Sequence, residues 1–232
     1  MNEFLENSLF AGVTISLLAY MAGAFLKKKF KIALLNPLLI SIILSIVVLV
    51  TADIDYDVYN AGASYLSWFL TPATVCLAIP LYQQMELLKK NMLAVILGIL
   101  SGVLASLCST LIFAFLFGMT HKEYVTMLPK SITTAIGMAV SEELGGIVTI
   151  TIATIILTGI IGNIIAETVC RIFKIEEPIA KGVAIGSASH AIGTVKAMEM
   201  GEIEGAMSSL AIAVAGLITV CLLYTSDAAD EL

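Results

Sequence analysis

The chain has 232 residues, of which 59% are hydrophobic and 13% charged, with a mean hydropathy of +1.01. An ordinary soluble domain carries about 45–50% apolar and about 25% charged residues, so a soluble globular domain is excluded. The net charge of −6 leaves no basic surface for nucleic acid.

Six stretches of 20 to 30 residues contain no Asp, Glu, Lys or Arg. Roughly 20 apolar residues cross a bilayer as a helix. The chain therefore reads as an all-α polytopic membrane protein with seven or eight transmembrane or re-entrant segments. The N-terminus, where the first segment (5–26) begins, carries Glu3 and Glu6 and has no Lys or Arg before Lys27. A cleaved signal peptide carries a basic leader, so this segment is expected to be retained. Lys27, Lys28, Lys29 and Lys31 separate it from the second (32–51), which puts that loop on the cytoplasmic side. Segments three (61–82) and four (91–118) follow, with Lys89 and Lys90 between them.

Segment five (124–144) decides the orientation of the rest. If it spans, Arg171 and Lys174 fall outside, against the positive-inside tendency. If it is broken and re-entrant, they fall inside together with Lys181. Segments six (146–173), seven (178–198) and eight (205–223) complete the reading.

Segment three also resembles segment five. With Pro72 set against Pro129, Thr74 meets Ser131, Ala78 meets Ala135, and Pro80 meets Gly137. Corresponding Pro- or Gly-interrupted apolar segments are a pointer to a transporter binding site. Pro72, Thr74 and Pro80 are thus expected to form a broken-helix partner to segment five.

In segment five, Pro129 removes a backbone donor and breaks the ladder. Broken backbone at membrane depth survives only where it is buried or lines a cavity. Ser131, Thr133 and Thr134 supply hydroxyls there, and Lys130 adds a charge that is expensive inside a membrane and therefore functional by default. In segment seven, Gly182, Gly186, His190 and Gly193 fall on one face of a continuous helix. Ser187 and Ser189 flank that face, and His190 is the one His inside an apolar segment. The expected site is an anion pocket of Pro129, Lys130, Ser131, Thr133, Thr134, Ser187, Ser189 and His190. Lys196 and Glu199, three apart, are expected to pair. Cys76, Cys108, Cys170 and Cys221 form neither a CxxC nor a metal-ligand spacing and read as small core residues. No metal or other cofactor is expected, and no hydrolase or nucleotide-binding motif marks an enzyme.

Four stretches resemble the LrgB/CidB family of bacterial membrane proteins: 70–82, 128–137 leading to Gly145 and Gly146, 178–194, and 202–211. The likeness covers about 7–222, as a single transmembrane domain over 1–220. It implies one of two functions. Relatives such as the plastid glycolate/glycerate translocator and bacterial pyruvate carriers imply transport of small carboxylates. The residues above agree best with that description, so it is the first expectation. The alternative is an antiholin-like regulator of murein hydrolase activity and autolysis, acting beside a holin-like LrgA/CidA-type partner. Either way the expected setting is the lipid bilayer of a bacterial cytoplasmic membrane, with self-association as a further expectation. Residues 221–232 depart from the family pattern and resemble translated adapter sequence. Without them the balance is 12 basic against 15 acidic groups.

Overall fold

The computed structural model describes residues 10–30, 35–76 and 78–230, the side chains of 70, 71, 74 and 224–230 excepted. The start of segment one, Lys31 and the last two residues lie outside these. The described residues are helical, with no strand among them, and the chain divides into two compact units, Met1–Cys76 and Leu77–Leu232.

The first unit holds α1 (Ala11–Phe30), α2 (Pro37–Thr51), α3 (Tyr56–Ala63), a 3-10 helix (Ser64–Phe69) and α4 (Leu70–Cys76). α1 buries Gly12, Ala19 and Gly23 as one narrow stripe, and a Cβ at Gly23 would stand 2.7 Å from the Pro37 carbonyl. α2 begins at Pro37, where a missing N–H costs nothing, and Asn36 Oδ1 caps it by accepting from Leu38 N at 2.9 Å. Pro72 lies within α4 and Pro80 within the six-residue α5 (Ala78–Gln83); the unit boundary falls after Cys76, and Leu77, which separates the two helices in sequence, lies outside the described residues.

In the second unit α6 (Met85–Phe117) and α9 (Val148–Ile172) are, with Glu202–Leu223 of α11 (Glu202–Asp230), long and apolar enough to cross a membrane. α6 buries Leu88, Val95, Ile99 and Val103 at helical spacing against Met207, Ala211 and Ala215 of α11. Its other face exposes Leu93, Leu97 and Phe115, the inside-out pattern expected of a helix whose solvent is lipid. Gly118, in the left-handed region at φ 61°, ends it. Cys76, Cys108 and Cys221 are exposed and only Cys170 is buried. The expectation of four core cysteines thus holds for one, because the apolar faces carrying the others point outward.

The chain between α6 and α9 folds back on itself as a hairpin, the broken form of segment five expected from Pro129. α7 (His121–Met127) leads into a 3-10 turn (Leu128–Ser131), then extended Thr133 reverses the chain into α8 (Thr134–Glu143). The return is fixed at both depths. A Cβ on Gly137 would lie 3.5 Å from Pro129 Cβ, and Ile147 N donates to Thr126 Oγ1 at 2.8 Å. Ser141 and Thr151 hydroxyls meet at 2.7 Å.

Entry to this hairpin is set by a capping box. Thr120 N and its hydroxyl donate to the Glu123 carboxylate at 2.7 and 2.9 Å. These bonds hold the Glu123 pKa below its ordinary 4.5. A depressed folded-state pKa gives stability that is present above the unfolded value and is lost as pH falls through the folded one. Thermal midpoints of wild type and Glu123→Gln, taken across acidic pH, should differ most above 4.5 and converge as the pH falls from there through the lowered folded-state value.

Segment seven differs from the sequence expectation of one continuous helix. α10 (Pro178–Met200) folds back on itself at His190, whose backbone sits at φ 41°, ψ −145°. A Cβ on Gly193 would approach Ile185 Cγ2 to 3.2 Å, although eight residues of straight helix rise about 12 Å. Ile185 and Ala197 share one buried cluster with Ala166 of α9, and Lys181 and Lys196 line one cavity. The reversal puts Gly193 on the outgoing leg, so the common glycine face read from the sequence does not exist. Gly182 and Gly186 remain together on the incoming leg and receive α11. A Cβ at Gly186 would collide with the Ser208 carbonyl and stand 2.8 Å from Ala211 Cβ. Gly186→Ala should therefore lower stability by about 1–3 kcal/mol through overpacking, measurable by denaturant unfolding in detergent.

From α6 onward the second unit is thus long apolar helix, hairpin, long apolar helix, hairpin, long apolar helix. The tips meet partway along α9. Lys130 of the first shares a cavity with Thr158, and the His190 ring lies against Gly159.

Candidate functional site

A cavity of about 790 Å³ runs between α6 and the incoming leg of the second hairpin, from Asn91 and Glu177 at one end to Lys130 and Ser131 at the first tip. The two helices run parallel and close: a Cβ on Gly98 would lie 3.2 Å from Val183, and one on Gly102 would lie 2.7 Å from the Ser187 hydroxyl. From Asn91 to Ser106 along α6 is about 22 Å. Lys130 therefore lies deep within the apolar length of the helix.

Lys130 Nζ donates to Ser106 Oγ at 2.9 Å, Thr110 Oγ1 at 2.9 Å and Ser106 O at 3.3 Å. Among the described residues it forms no ion pair, unlike Glu167, which pairs with Arg171 and Lys196, and Lys196, which also pairs with Glu199. The cation is held by neutral oxygens alone. A neutral shell disperses charge without cancelling it, so the cavity keeps a net positive end that attracts an anion.

The expected site residues separate into two groups. Lys130, Ser131 and Ser187 line the cavity; Pro129, Thr133, Thr134, Ser189 and His190 do not. Pro129 is buried beneath Gly137, and its carbonyl accepts from Ile132 N at 3.2 Å. Thr133 occupies the N-cap position of α8 without a side-chain cap bond, and Thr134 opens that helix. Ser189 faces Gly162 of α9. His190 is only 3% exposed and holds Ile155 O through Nε2 at 2.9 Å, away from the cavity. Pro72 and Pro80 do not line it either, and the Thr74 side chain lies outside the described residues.

Ser106 and Thr110, which hold Lys130, were not anticipated. Their signal is present in α6 as Gly98, Gly102, Ser106 and Thr110, four apart and on one face of an otherwise bulky apolar helix. Lys196 and Glu199 pair at 3.5 Å as expected, and Lys196 also reaches Glu167 at 3.2 Å. This network ties the outgoing leg to α9 around a separate charged cavity of about 450 Å³.

The sequence pattern of the LrgB-like family matches residues 16–226. The antiholin-like protein LrgB of Bacillus cereus (strain B4264) is 38% identical over 213 residues, covering 91% of this chain and 93% of its own. The proteins of the same name from Bacillus cereus (strain AH187) and Bacillus anthracis (strain A0248) match to the same extent. No solved structure matches this chain. The family pattern and these near full-length relatives agree with the apolar helices on what the molecule is: the chain belongs to the LrgB-like family of membrane proteins.

Proposed function

We propose that this protein is an antiholin-like regulator, a multi-pass protein of the bacterial cytoplasmic membrane that restrains murein hydrolase activity beside a small holin-like LrgA/CidA-type partner. The observation that carries this reading is the match to relatives named antiholin-like, 38% identical over 91% of this chain. It reverses the order of preference drawn from the sequence alone. Its test is an autolysis assay in a bacterium lacking its own LrgB-type protein, with and without this chain. Slower lysis on expression and co-purification with an LrgA-type protein support regulation; unchanged lysis and no co-purification reject it.

A second reading, a facilitator of small carboxylates such as pyruvate or glycolate, is favoured by one specific feature. Lys130 carries a charge into a deep cavity without an acidic partner among the described residues. Uptake of labelled pyruvate and glycolate into proteoliposomes, with and without a pH gradient, tests it. Absence of flux for both acids rejects it.

A further inference from the structure

Five serines line the cavity: Ser101, Ser106, Ser109, Ser131 and Ser187. A hydroxyl has one hydrogen to give and two lone pairs to receive, so the network can be followed donor by donor. Ser101 gives its hydrogen to Gly98 O at 2.8 Å, Ser109 to Ser106 O at 2.9 Å, and Ser187 to Val183 O at 2.7 Å. These three have no hydrogen left for a ligand.

Ser106 is different. Its oxygen already receives from Lys130 Nζ at 2.9 Å, and it lies 2.9 Å from Ser131 Oγ. If Ser131 donated to Ser106, the Ser106 hydrogen would be left without an acceptor among the bonds described. The reverse assignment leaves the Ser131 hydrogen without one instead, but a hydroxyl that already accepts from a cation is the stronger donor, so the chain runs from Lys130 to Ser106 to Ser131 and leaves the Ser131 hydrogen facing the cavity. Each donor in such a chain polarises the next, and a chain that begins on a cation ends on a strengthened donor.

We propose that Lys130, Ser106 and Ser131 form a relay in which Ser131 donates the hydrogen bond to a bound carboxylate. Lys130 supplies its charge through Ser106, which is a positioning residue. The proposal rests on the carboxylate reading above and deepens it. It explains why a lysine whose donors already meet three acceptors on α6 can still govern an anion. It also gives the break after Pro129 a purpose. Consecutive residues of a continuous helix point about 100° apart, whereas the turn at Leu128–Ser131 sets Lys130 and Ser131 on the same neighbour, Ser106.

The test is concentration-dependent uptake of labelled pyruvate by proteoliposomes of wild type, Ser106→Ala, Ser106→Thr and Ser131→Ala, with thermal midpoints recorded for each. Loss of one charge-assisted hydrogen bond corresponds to roughly tenfold or more in affinity. Ser131→Ala and Ser106→Ala should therefore each raise KM by about tenfold or more. Ser106→Thr, which keeps the hydroxyl, should restore it. A structural role for Ser106 would lower the thermal midpoint instead and would leave KM unmoved in the protein that still folds. If wild type transports and Ser106→Ala keeps its KM, the relay is wrong and the carboxylate reading stands. If wild type carries flux of neither pyruvate nor glycolate, both fall; if it carries glycolate alone, the same variants are read with that acid.

Discussion

Replacing Lys130 with methionine is expected to cut pyruvate uptake by about two orders of magnitude, the scale of a lost contact to a buried charge, without lowering the thermal midpoint. The two halves have different causes. Uptake falls because Lys130 is the one cation lining the cavity and the origin of the donor chain through Ser106. Stability holds because a desolvated charge is itself a penalty, and an apolar side chain of similar length removes it. Against that stands the loss of three bonds to neutral oxygens, each worth about 1 kcal/mol net. A variant that unfolds would show that the lysine is scaffolding. A stable variant with normal uptake would remove the cavity from the transport reading. The same variant in the autolysis assay separates the two proposed functions: lysis control that survives Lys130→Met acts through a surface, whereas lysis control lost with uptake depends on the cavity.

Helical spans and the first hairpin were legible because their causes are local. Apolar length gives α6, α9 and α11, and Pro129 gives a chain that folds back. The second hairpin was not legible. Nothing in Ser187-Ala188-Ser189-His190-Ala191 forbids a helix, and no proline or glycine stands at the reversal. The turn is imposed from outside, by an α9 that is bare at Gly159 and Gly162 where Ser189 and His190 press against it. For the same reason His190 was misplaced. A titratable ring in an apolar segment signals that something holds it, but not whether that is a ligand or, as here, the Ile155 carbonyl. In α6 the hydroxyls holding Lys130 were visible at a spacing of four, yet only the tertiary approach of Lys130 gives that stripe its meaning.

Substitution of His190 is the sharpest test of the second hairpin, because it reverses an ordinary rule. Inside a helix, alanine is preferred to glycine by about 1 kcal/mol. At His190 both replacements lose the ring that bonds Ile155 O and packs on Gly159. That loss costs His190→Ala about 2–4 kcal/mol from an orphaned carbonyl and a partly collapsed cavity. The backbone term then separates the two. At φ 41°, ψ −145° a side chain bears strain of about 1–3 kcal/mol, while glycine bears little. His190→Gly should therefore be more stable than His190→Ala by about 1 kcal/mol or more, as read from denaturant midpoints in detergent. The His190 carbonyl remains available to Thr194 Oγ1, which donates to it at 3.0 Å, so the tip keeps its tie to the outgoing leg in both variants. If alanine is the better tolerated, residue 190 is helical, segment seven is one continuous helix, and the meeting of two tips beside Lys130 is lost with it.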